Sequence, residues 1–353
     1  MAPIGRMLAL TQPGCNWHRR VVLGVLFCGV WWVVLPSSQA FAATGSVLPS
    51  AASYECSAAH EGRPESPSVA YRARYGFNRL EGHWVYSIPW RGKRLAAQCF
   101  QAAEPARGLV HVVHGYFDHA GLQVDLIYAL VDAGFTVRTL DLPGHGLSAG
   151  ARGSIPSMDA YQEALESWLS NQQVPLRIVA HSMGGAVVME AMRRGTLSTD
   201  AKVVLLAPLV RWSWWKTTGA LAWLAQPVVR AVPRRHRLSS GDPGYENLRL
   251  SDPLQPKRVP LLWVQAMRSW AQGFVRGESL RHRFVTVLQG TRDSTVDWRA
   301  NQRIVQRLFP RVRYHRIVGG YHHLQGDAPG RRTKVFGMVI EGLERSEQGG
   351  LAP

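Results

Sequence analysis

From about residue 83 onward, the chain alternates short β-rich runs with segments whose apolar residues recur every three or four positions. Parallel neighbouring strands need a long connection, usually a helix, so this alternation predicts an α/β fold with a mostly parallel sheet covered on both faces. The predicted strands are Trp84–Ile88, Arg94–Phe100, Leu109–His114, Thr136–Asp141, Leu176–Ala180, Val203–Leu206, Phe284–Gln289 and Val312–Ile317. The predicted helices are Leu122–Ala133, Met158–Ser170, Gly184–Arg193, Trp298–Leu308 and Thr333–Arg345.

One segment interrupts this alternation. Residues 209–278 separate two predicted core strands and are too long for an ordinary crossover, so we interpret residues 209–280 as an inserted helical cap. The segment holds six of the 13 tryptophans and a basic cluster at Arg230, Arg234, Arg235 and Arg237. Open α/β sheets bind ligands beyond the carboxyl ends of their strands, so the cap is expected to lie over a ligand site.

The chain is strongly basic, with 41 basic residues against 24 acidic ones and a formal net charge of +17. Such a surface attracts anions, whether nucleic acid, an anionic membrane or an acidic substrate. No recognisable nucleic-acid-binding module accompanies the charge, so we expect no nucleic-acid partner. The four cysteines include no C-x-x-C pair, which argues against a cysteine zinc site and against a disulfide-stapled miniature fold.

The first 42 residues have the layout of a secretory signal peptide. Arginines precede the uncharged apolar run Val21–Leu35, and Ala40–Ala42 offers a small-residue cleavage site. The apolar run is shorter than the roughly 20 residues that a membrane-spanning helix needs. We therefore predict an exported protein, periplasmic or secreted, with an uncleaved N-terminal membrane anchor as the alternative.

The remaining chain divides into an N-terminal extension (43–82), a first core part (83–208), the cap (209–280), a second core part (281–345) and a frayed tail (346–353). Two cysteines, Cys56 and Cys99, follow the signal segment. An oxidising compartment favours a disulfide between them, whereas two unpaired thiols are expected if the protein is not exported.

The segment Ala180–Gly185 reads Ala-His-Ser-Met-Gly-Gly and connects a predicted strand directly to a predicted helix. It resembles the nucleophile elbow of the α/β-hydrolases, a strained turn that requires small residues two positions before and after the nucleophile. The resemblance implies that Ser182 is the nucleophile and that the amide of Met183 stabilises a developing oxyanion. An ordinary serine in a glycine-rich turn is the alternative.

A serine hydroxyl needs a base to take its proton and a carboxylate to orient that base. Asp293 and Asp297 follow one late strand, and His322 and His323 follow the next. The order Ser, Asp, His in the resembling family implies Asp293 and His322, because that family places its histidine after Gly-x-Tyr and before x-Leu. His323 is the rival base, and Asp297, the rival acid, is better placed to cap the helix that follows it.

Two earlier loops complete the resemblance. The segment His114–His119 resembles the H-G-x oxyanion loop, which implies the amide of Tyr116 as second donor. The segment Asp141–Ser148 resembles the D-x-x-G-H-G-x-S loop of the monoacylglycerol lipase and lysophospholipase branch, whose motifs serine aminopeptidases and carboxylesterases share. The resemblance covers residues 83–345. The histidines in these loops lack the spacing of a metal-binding helix, so we expect no catalytic metal and no cofactor.

These features together predict an exported serine hydrolase that cleaves the carboxylic ester of a lipid, either a lysophospholipid or a monoacylglycerol. An iminopeptidase-like enzyme would need acidic groups to hold the substrate amine, which the basic cap disfavours. A general carboxylesterase is a further alternative. An inactive membrane-surface binding protein is the alternative of another class, although no triad member is missing.

The tryptophans of the cap suggest a membrane contact. A helix through Trp214–Ala225 would carry much aromatic bulk on one side, and indole rings and basic residues favour an anionic lipid surface. The alternative is that these tryptophans pack the cap onto the core and line an acyl pocket. The residues concerned are Trp212, Trp214, Trp215, Lys216 and Trp223.

Overall fold

The computed structural model describes residues 66–103, 106–170, 176–218 and 228–345. The predicted signal segment, Cys56, Trp223 and the tail 346–353 lie outside the described residues. Cys99 lies buried on a strand of the sheet, and its bond to Cys56 stays a prediction. In the described part of the chain, no helix is both long enough and apolar enough to cross a membrane.

An eight-stranded sheet forms the centre of the fold, in the order β1-β2-β4-β3-β5-β6-β9-β10. β1 pairs antiparallel with β2, and β2 with β4, whereas the remaining neighbours are parallel. The predicted α/β class is therefore confirmed. The strands are β1 (His83–Trp90), β2 (Lys93–Phe100), β3 (Gly108–Val113), β4 (Phe135–Leu140), β5 (Arg177–His181), β6 (Lys202–Leu206), β9 (Phe284–Gly290) and β10 (Arg311–Ile317).

Helices follow the strands where the apolar periodicity places them. They are Val124–Asp132, Asp159–Leu169, Met183–Arg194, Trp298–Leu308 and Pro329–Glu344. A further short helix, Val69–Tyr75, precedes β1 and has no counterpart among the predicted elements. The side chain of Ser68 accepts a hydrogen bond from the amide of Tyr71 and so caps its N-terminus. Gly76 ends it with a φ of 80°, a conformation that glycine adopts without strain.

Two apolar clusters fill the space between the sheet and its helices. Residues of Asp159–Leu169 and Met183–Arg194 belong to one cluster, and residues of Val124–Asp132 and Pro329–Glu344 belong to the other. Along β5, Ile178 and Ala180 join the first cluster and Val179 joins the second. Successive side chains of a strand point to opposite faces, so β5 is buried on both sides of the sheet. This burial fixes the register of β5 and therefore the position of the residues that follow it at the sheet edge.

The cap lies in the chain between β6 and β9, which are neighbours in the sheet. It contains the helices Pro243–Leu250 and Leu261–Arg276. A two-stranded antiparallel ribbon, β7 (Ala231–Pro233) with β8 (Arg258–Pro260), adds a small sheet to the predicted helical cap. Each of these strands has three residues and ends in proline, so neither shows the alternation from which a strand is predicted.

A buried charged contact joins the cap to the core. The Nε2 atom of His119 lies 2.7 Å from Oδ2 of Asp252, and the hydroxyl of Tyr75 donates to Oδ1 at 2.9 Å. Both members of the His119–Asp252 pair have fully buried side chains. Burial alone would lower the pKa of His119, but the hydrogen bond and the charge of Asp252 outweigh it and raise that pKa. Three segments distant in sequence therefore meet at one ion pair.

Candidate active site

Ser182 lies at the sharp turn between β5 and the helix Met183–Arg194. Its φ is 49° and its ψ is −111°, a strained conformation for a residue with a side chain. Gly184 permits the turn, because a Cβ atom there would lie 2.5 Å from the carbonyl oxygens of Val113 and His114. The local sequence thus holds the serine hydroxyl at the carboxyl edge of the sheet, as the elbow pattern predicts.

His322 and Asp293 lie beside this serine. The Nε2 atom of His322 is 3.0 Å from Oγ of Ser182, and its Nδ1 atom is 2.8 Å from Oδ2 of Asp293. All three side chains are buried. The structure therefore brings together the serine, histidine and aspartate that the sequence nominates, with one hydrogen bond between each neighbouring pair.

The loop after β9 fixes the carboxylate of Asp293. Its Oδ1 atom accepts hydrogen bonds from the amides of Thr295 (2.8 Å) and Val296 (3.1 Å), and its Oδ2 atom accepts one from the side chain of Gln289 (3.0 Å). Burial by itself would raise the pKa of Asp293, but His322 and these hydrogen bonds lower it. The carboxylate is therefore ionised at neutral pH and can orient an imidazole.

A glycine allows the acid and base loops to approach. Gly290 ends β9, and a Cβ atom there would overlap the carbonyl oxygens of Gly320 and Tyr321, which precede His322. Backbone contact this close is possible only without a side chain. Gly290 thus sets the spacing between the loop that carries Asp293 and the loop that carries His322.

The rival residues have other contacts. Asp297 caps the helix Trp298–Leu308 by accepting a hydrogen bond from the amide of Ala300 at 3.2 Å. The ring of His323 packs 4.9 Å from that of His181. Burial, reinforced by the nearby positive charges, lowers the pKa of His323 well below its usual value, so this imidazole is neutral at neutral pH.

The two segments that carry the predicted oxyanion donors lie next to Ser182. Met183 is the first residue of its helix, where an amide has no partner within the helix. Gly115, which precedes Tyr116, lies so close to the serine that a Cβ atom on it would be 3.2 Å from Cβ of Ser182. These positions agree with the predicted roles of Tyr116 and Met183 as oxyanion donors, which stay predictions.

The loop Asp141–Ser148 supports the oxyanion loop. The carboxylate of Asp141 accepts hydrogen bonds from the amides of Ala120 (2.8 Å) and Leu147 (2.9 Å). The Nε2 atom of His114 accepts a hydrogen bond from the amide of Leu142 at 2.9 Å. These contacts join the two motif loops to each other. The motif aspartate, Asp141, therefore has a structural role.

Ser182 and His322 open into a cavity of about 580 Å³. One part of its lining is apolar, with Trp212, Leu261, Trp263 and Val296 among its residues. Another part carries arginines, and no aspartate or glutamate is found among the described residues that line the cavity. The arginines are Arg234, Arg235, Arg237 and Arg249.

The aromatic residues of the cap divide between the two predicted uses. Trp212 lines the cavity and also packs against the core. Trp263, also in the lining, stacks on Tyr116 with ring centroids 3.7 Å apart. Trp214 lines the cavity and has 66% of its surface exposed, whereas Trp215 packs against the core. The pocket-lining alternative accounts for Trp212, and Trp214 is accessible to an external surface.

One group in the described ranges has the residue types of a metal site. Potential ligand atoms of Asp118, His181 and His323 lie within 4.8 Å of one another. The Asp118 carboxylate already accepts hydrogen bonds from the amide of His119 and from the side chain of Gln123. This buried cluster has no signal in the sequence, because its members come from three segments that are distant along the chain. The expected absence of a catalytic metal stays a prediction.

Comparison with known families agrees with this geometry. The family model Hydrolase_4, described as serine aminopeptidase S33, matches residues 104–329, well over half of the chain. The chain belongs to this α/β-hydrolase family. The matched segment contains the serine, aspartate and histidine of the site, so the predicted resemblance is confirmed.

Individual relatives of this hydrolase are named for lipid substrates. It is 29% identical over 112 residues to phospholipase YtpA of Bacillus subtilis, covering 31% of this chain and 43% of the relative. It is 29% identical over 102 residues to the monoacylglycerol lipase of Mycolicibacterium smegmatis, covering 28% and 36%. The matches thus span less than half the length of these relatives.

Solved structures extend the likeness to the whole fold of the hydrolase. A monoglyceride lipase of Saccharomyces cerevisiae has a TM-score of 0.66 at 17% identity, covering 74% of this chain and 95% of that one. A monoacylglycerol lipase of Paleococcus ferrophilus has a TM-score of 0.60 at 24% identity, covering 71% and 99%. At these identities the likeness establishes the fold.

Proposed function

We propose that this hydrolase cleaves the carboxylic ester of a monoacyl lipid, a lysophospholipid or a monoacylglycerol, through an acyl-enzyme. The hydrogen-bonded series from Ser182 through His322 to Asp293, opening into a partly apolar cavity, is the observation that carries the proposal. A buried, ordered series of this kind suits nucleophilic attack on an ester.

The reaction has two halves. In the first, Oγ of Ser182 attacks the acyl carbonyl while His322 takes the hydroxyl proton, and the amides of Tyr116 and Met183 stabilise the oxyanion. Collapse of this intermediate breaks the ester bond, and His322 gives the proton to the departing glycerol oxygen. In the second half, water attacks the acyl-serine by the same route, which releases the fatty acid and restores Ser182.

The cavity supports a lipid as substrate. Its apolar lining offers an acyl chain the burial that drives binding of hydrocarbon from water. Relatives named phospholipase and monoacylglycerol lipase agree with this choice. An aminopeptidase would need an anionic group to hold the substrate amine, and the described lining residues offer no carboxylate.

A panel of purified-enzyme assays tests the proposal. We expect hydrolysis of monoacylglycerols and lysophospholipids with kcat/KM at least about tenfold above that for aminoacyl amides, because the lining residues that the structure describes offer apolar and cationic groups and include no carboxylate. The aminoacyl amides serve as the control substrates. Faster release of the amine from aminoacyl amides would contradict the proposal and favour a peptidase.

We also propose export and contact with an anionic membrane surface. The basic composition of the chain, the predicted signal segment and the exposed ring of Trp214 support this. Trp214→Ala is expected to weaken co-sedimentation with anionic vesicles, and low salt is expected to strengthen binding of the wild type. Equal binding of both proteins at every salt concentration would contradict the membrane contact.

A further inference from the structure

Arg234 follows β7, and its side chain lies over the aromatic ring of Phe117 in the oxyanion loop. Its amide donates to the carbonyl oxygen of Lys257 at 3.1 Å, which anchors its backbone to the cap ribbon. Its guanidinium lies 4.0 Å from the ring centroid of Phe117 and donates to the side-chain oxygen of Gln255. Phe117 directly follows Tyr116, so Arg234 is held beside the residue whose amide is a predicted oxyanion donor.

Among the described residues, no carboxylate forms an ion pair with Arg234, although the charges of Asp118 and Glu246 act on it. Its neighbour Arg249, by contrast, is bound to Glu246 at 2.5 Å. Burial and the positive charge of Arg249 lower the pKa of Arg234 to about 10. A half-buried guanidinium in such surroundings gains stability when an anion binds to it, and its planar donors match phosphate oxygens.

Further basic residues beside Arg234 line the cavity. Arg235, His236 and Arg237 follow Arg234 in its lining and are exposed. The other part of the lining is apolar. The cavity therefore suits a molecule that carries an apolar chain, an anionic group and an ester that Ser182 can attack.

We propose that Arg234 forms a phosphate-binding subsite that selects lysophospholipids with a net-anionic headgroup over monoacylglycerols. The inference rests on the proposed function, because it assigns the headgroup of the same ester substrate. In a lysophospholipid the glycerol backbone joins the cleaved ester to the phosphate, so one molecule can contact both Ser182 and Arg234. A zwitterionic headgroup would add a cation to a lining whose described residues include no carboxylate, which favours the net-anionic lipids.

The test compares oleoyl lysophosphatidate with oleoyl monoacylglycerol, which share their acyl chain and differ in the phosphate. Arg234→Gln is expected to lower the ratio of kcat/KM between these lipids by about tenfold to a hundredfold, mainly through KM. Arg234→Lys keeps the charge but loses the planar donors, so it should restore part of the ratio. Higher salt should lower the wild-type ratio as well.

Arg316→Gln is the matched control. The Arg316 guanidinium also lies over an aromatic ring, 5.6 Å from the centroid of Trp298, and also hydrogen-bonds a glutamine, Gln302. Because Arg316 is not among the residues that line the cavity, its replacement should leave the lipid ratio at the wild-type value. An equal fall of the ratio in both variants would overturn the subsite.

Binding measured without turnover separates this inference from the proposed function. In a Ser182→Ala background, lysophosphatidate should bind with an affinity that Arg234→Gln lowers by about tenfold or more. Hydrolysis of neither lipid by the wild type would overturn the proposed function. Hydrolysis of both lipids with a ratio that Arg234→Gln leaves unchanged would overturn the subsite alone. Inhibition by inorganic phosphate that Arg234→Gln relieves, with that ratio unchanged, would assign Arg234 to free phosphate and likewise overturn the headgroup assignment.

Discussion

Replacing Ser182 by alanine is expected to lower ester hydrolysis by about a millionfold and to abolish labelling by a fluorophosphonate probe. The strained turn holds the hydroxyl 3.0 Å from Nε2 of His322, and no other described serine has such a contact with that nitrogen. Without the hydroxyl no acyl-enzyme can form. Turnover and probe labelling of the purified variant, with circular dichroism to verify folding, measure the effect.

The adjacent histidines supply the control for the base. His322→Ala should lose activity by a factor similar to that of Ser182→Ala, because the two act as one unit. His323→Ala should lose far less, since the ring of His323 contacts His181 rather than the serine. If His323→Ala proved the more damaging change, the assignment of the base would be wrong by one residue. Undiminished labelling of Ser182→Ala would remove the serine assignment itself.

Asp293→Asn is expected to lower kcat by about ten-thousandfold with little change in fold. An asparagine amide would face Nδ1 of His322 and the donors that now bind the carboxylate, so the imidazole would lose its orientation and its stabilisation as a cation. The kinetics of the variant on a monoacyl ester measure this loss.

Asp297→Asn is the comparison, four residues further along the same loop. Asparagine caps a helix about as well as aspartate, so we expect activity and stability close to the wild type. Equal losses in the two variants would show that the loop responds as a whole and would leave the acid unassigned.

The parts of the site that the sequence predicts are local. The elbow is specified by a strand pattern, two small residues and a helix pattern within a few positions, so Ser182 and Met183 can be found without a structure. Asp293 and His322 depend on chain order, and each had a rival within four residues. The structure distinguishes each candidate from its rival by its hydrogen bonds. Asp297 binds the amide of Ala300 at a helix N-terminus, whereas His322 contacts the hydroxyl of Ser182.

The parts that the sequence does not predict are contacts between distant segments. The cluster of Asp118, His181 and His323 joins the end of β5 to two loops, and the stacking of Arg234 on Phe117 joins the cap to the oxyanion loop. Neither the apolar periodicity of the sequence nor the spacing of its motifs predicts a contact between such distant segments. The ribbon of β7 and β8 is missed for a different reason, since each of its strands has only three residues and ends in proline.

The buried pair of His119 and Asp252 bears on how a substrate reaches the serine. Separating a buried ion pair costs about 3–5 kcal/mol, which corresponds to an open population below about one molecule in a hundred. The part of the cap next to Asp252 is thus expected to stay on the core during turnover. A cap movement that admits a lipid to Ser182 is therefore expected in segments other than the one that carries Asp252.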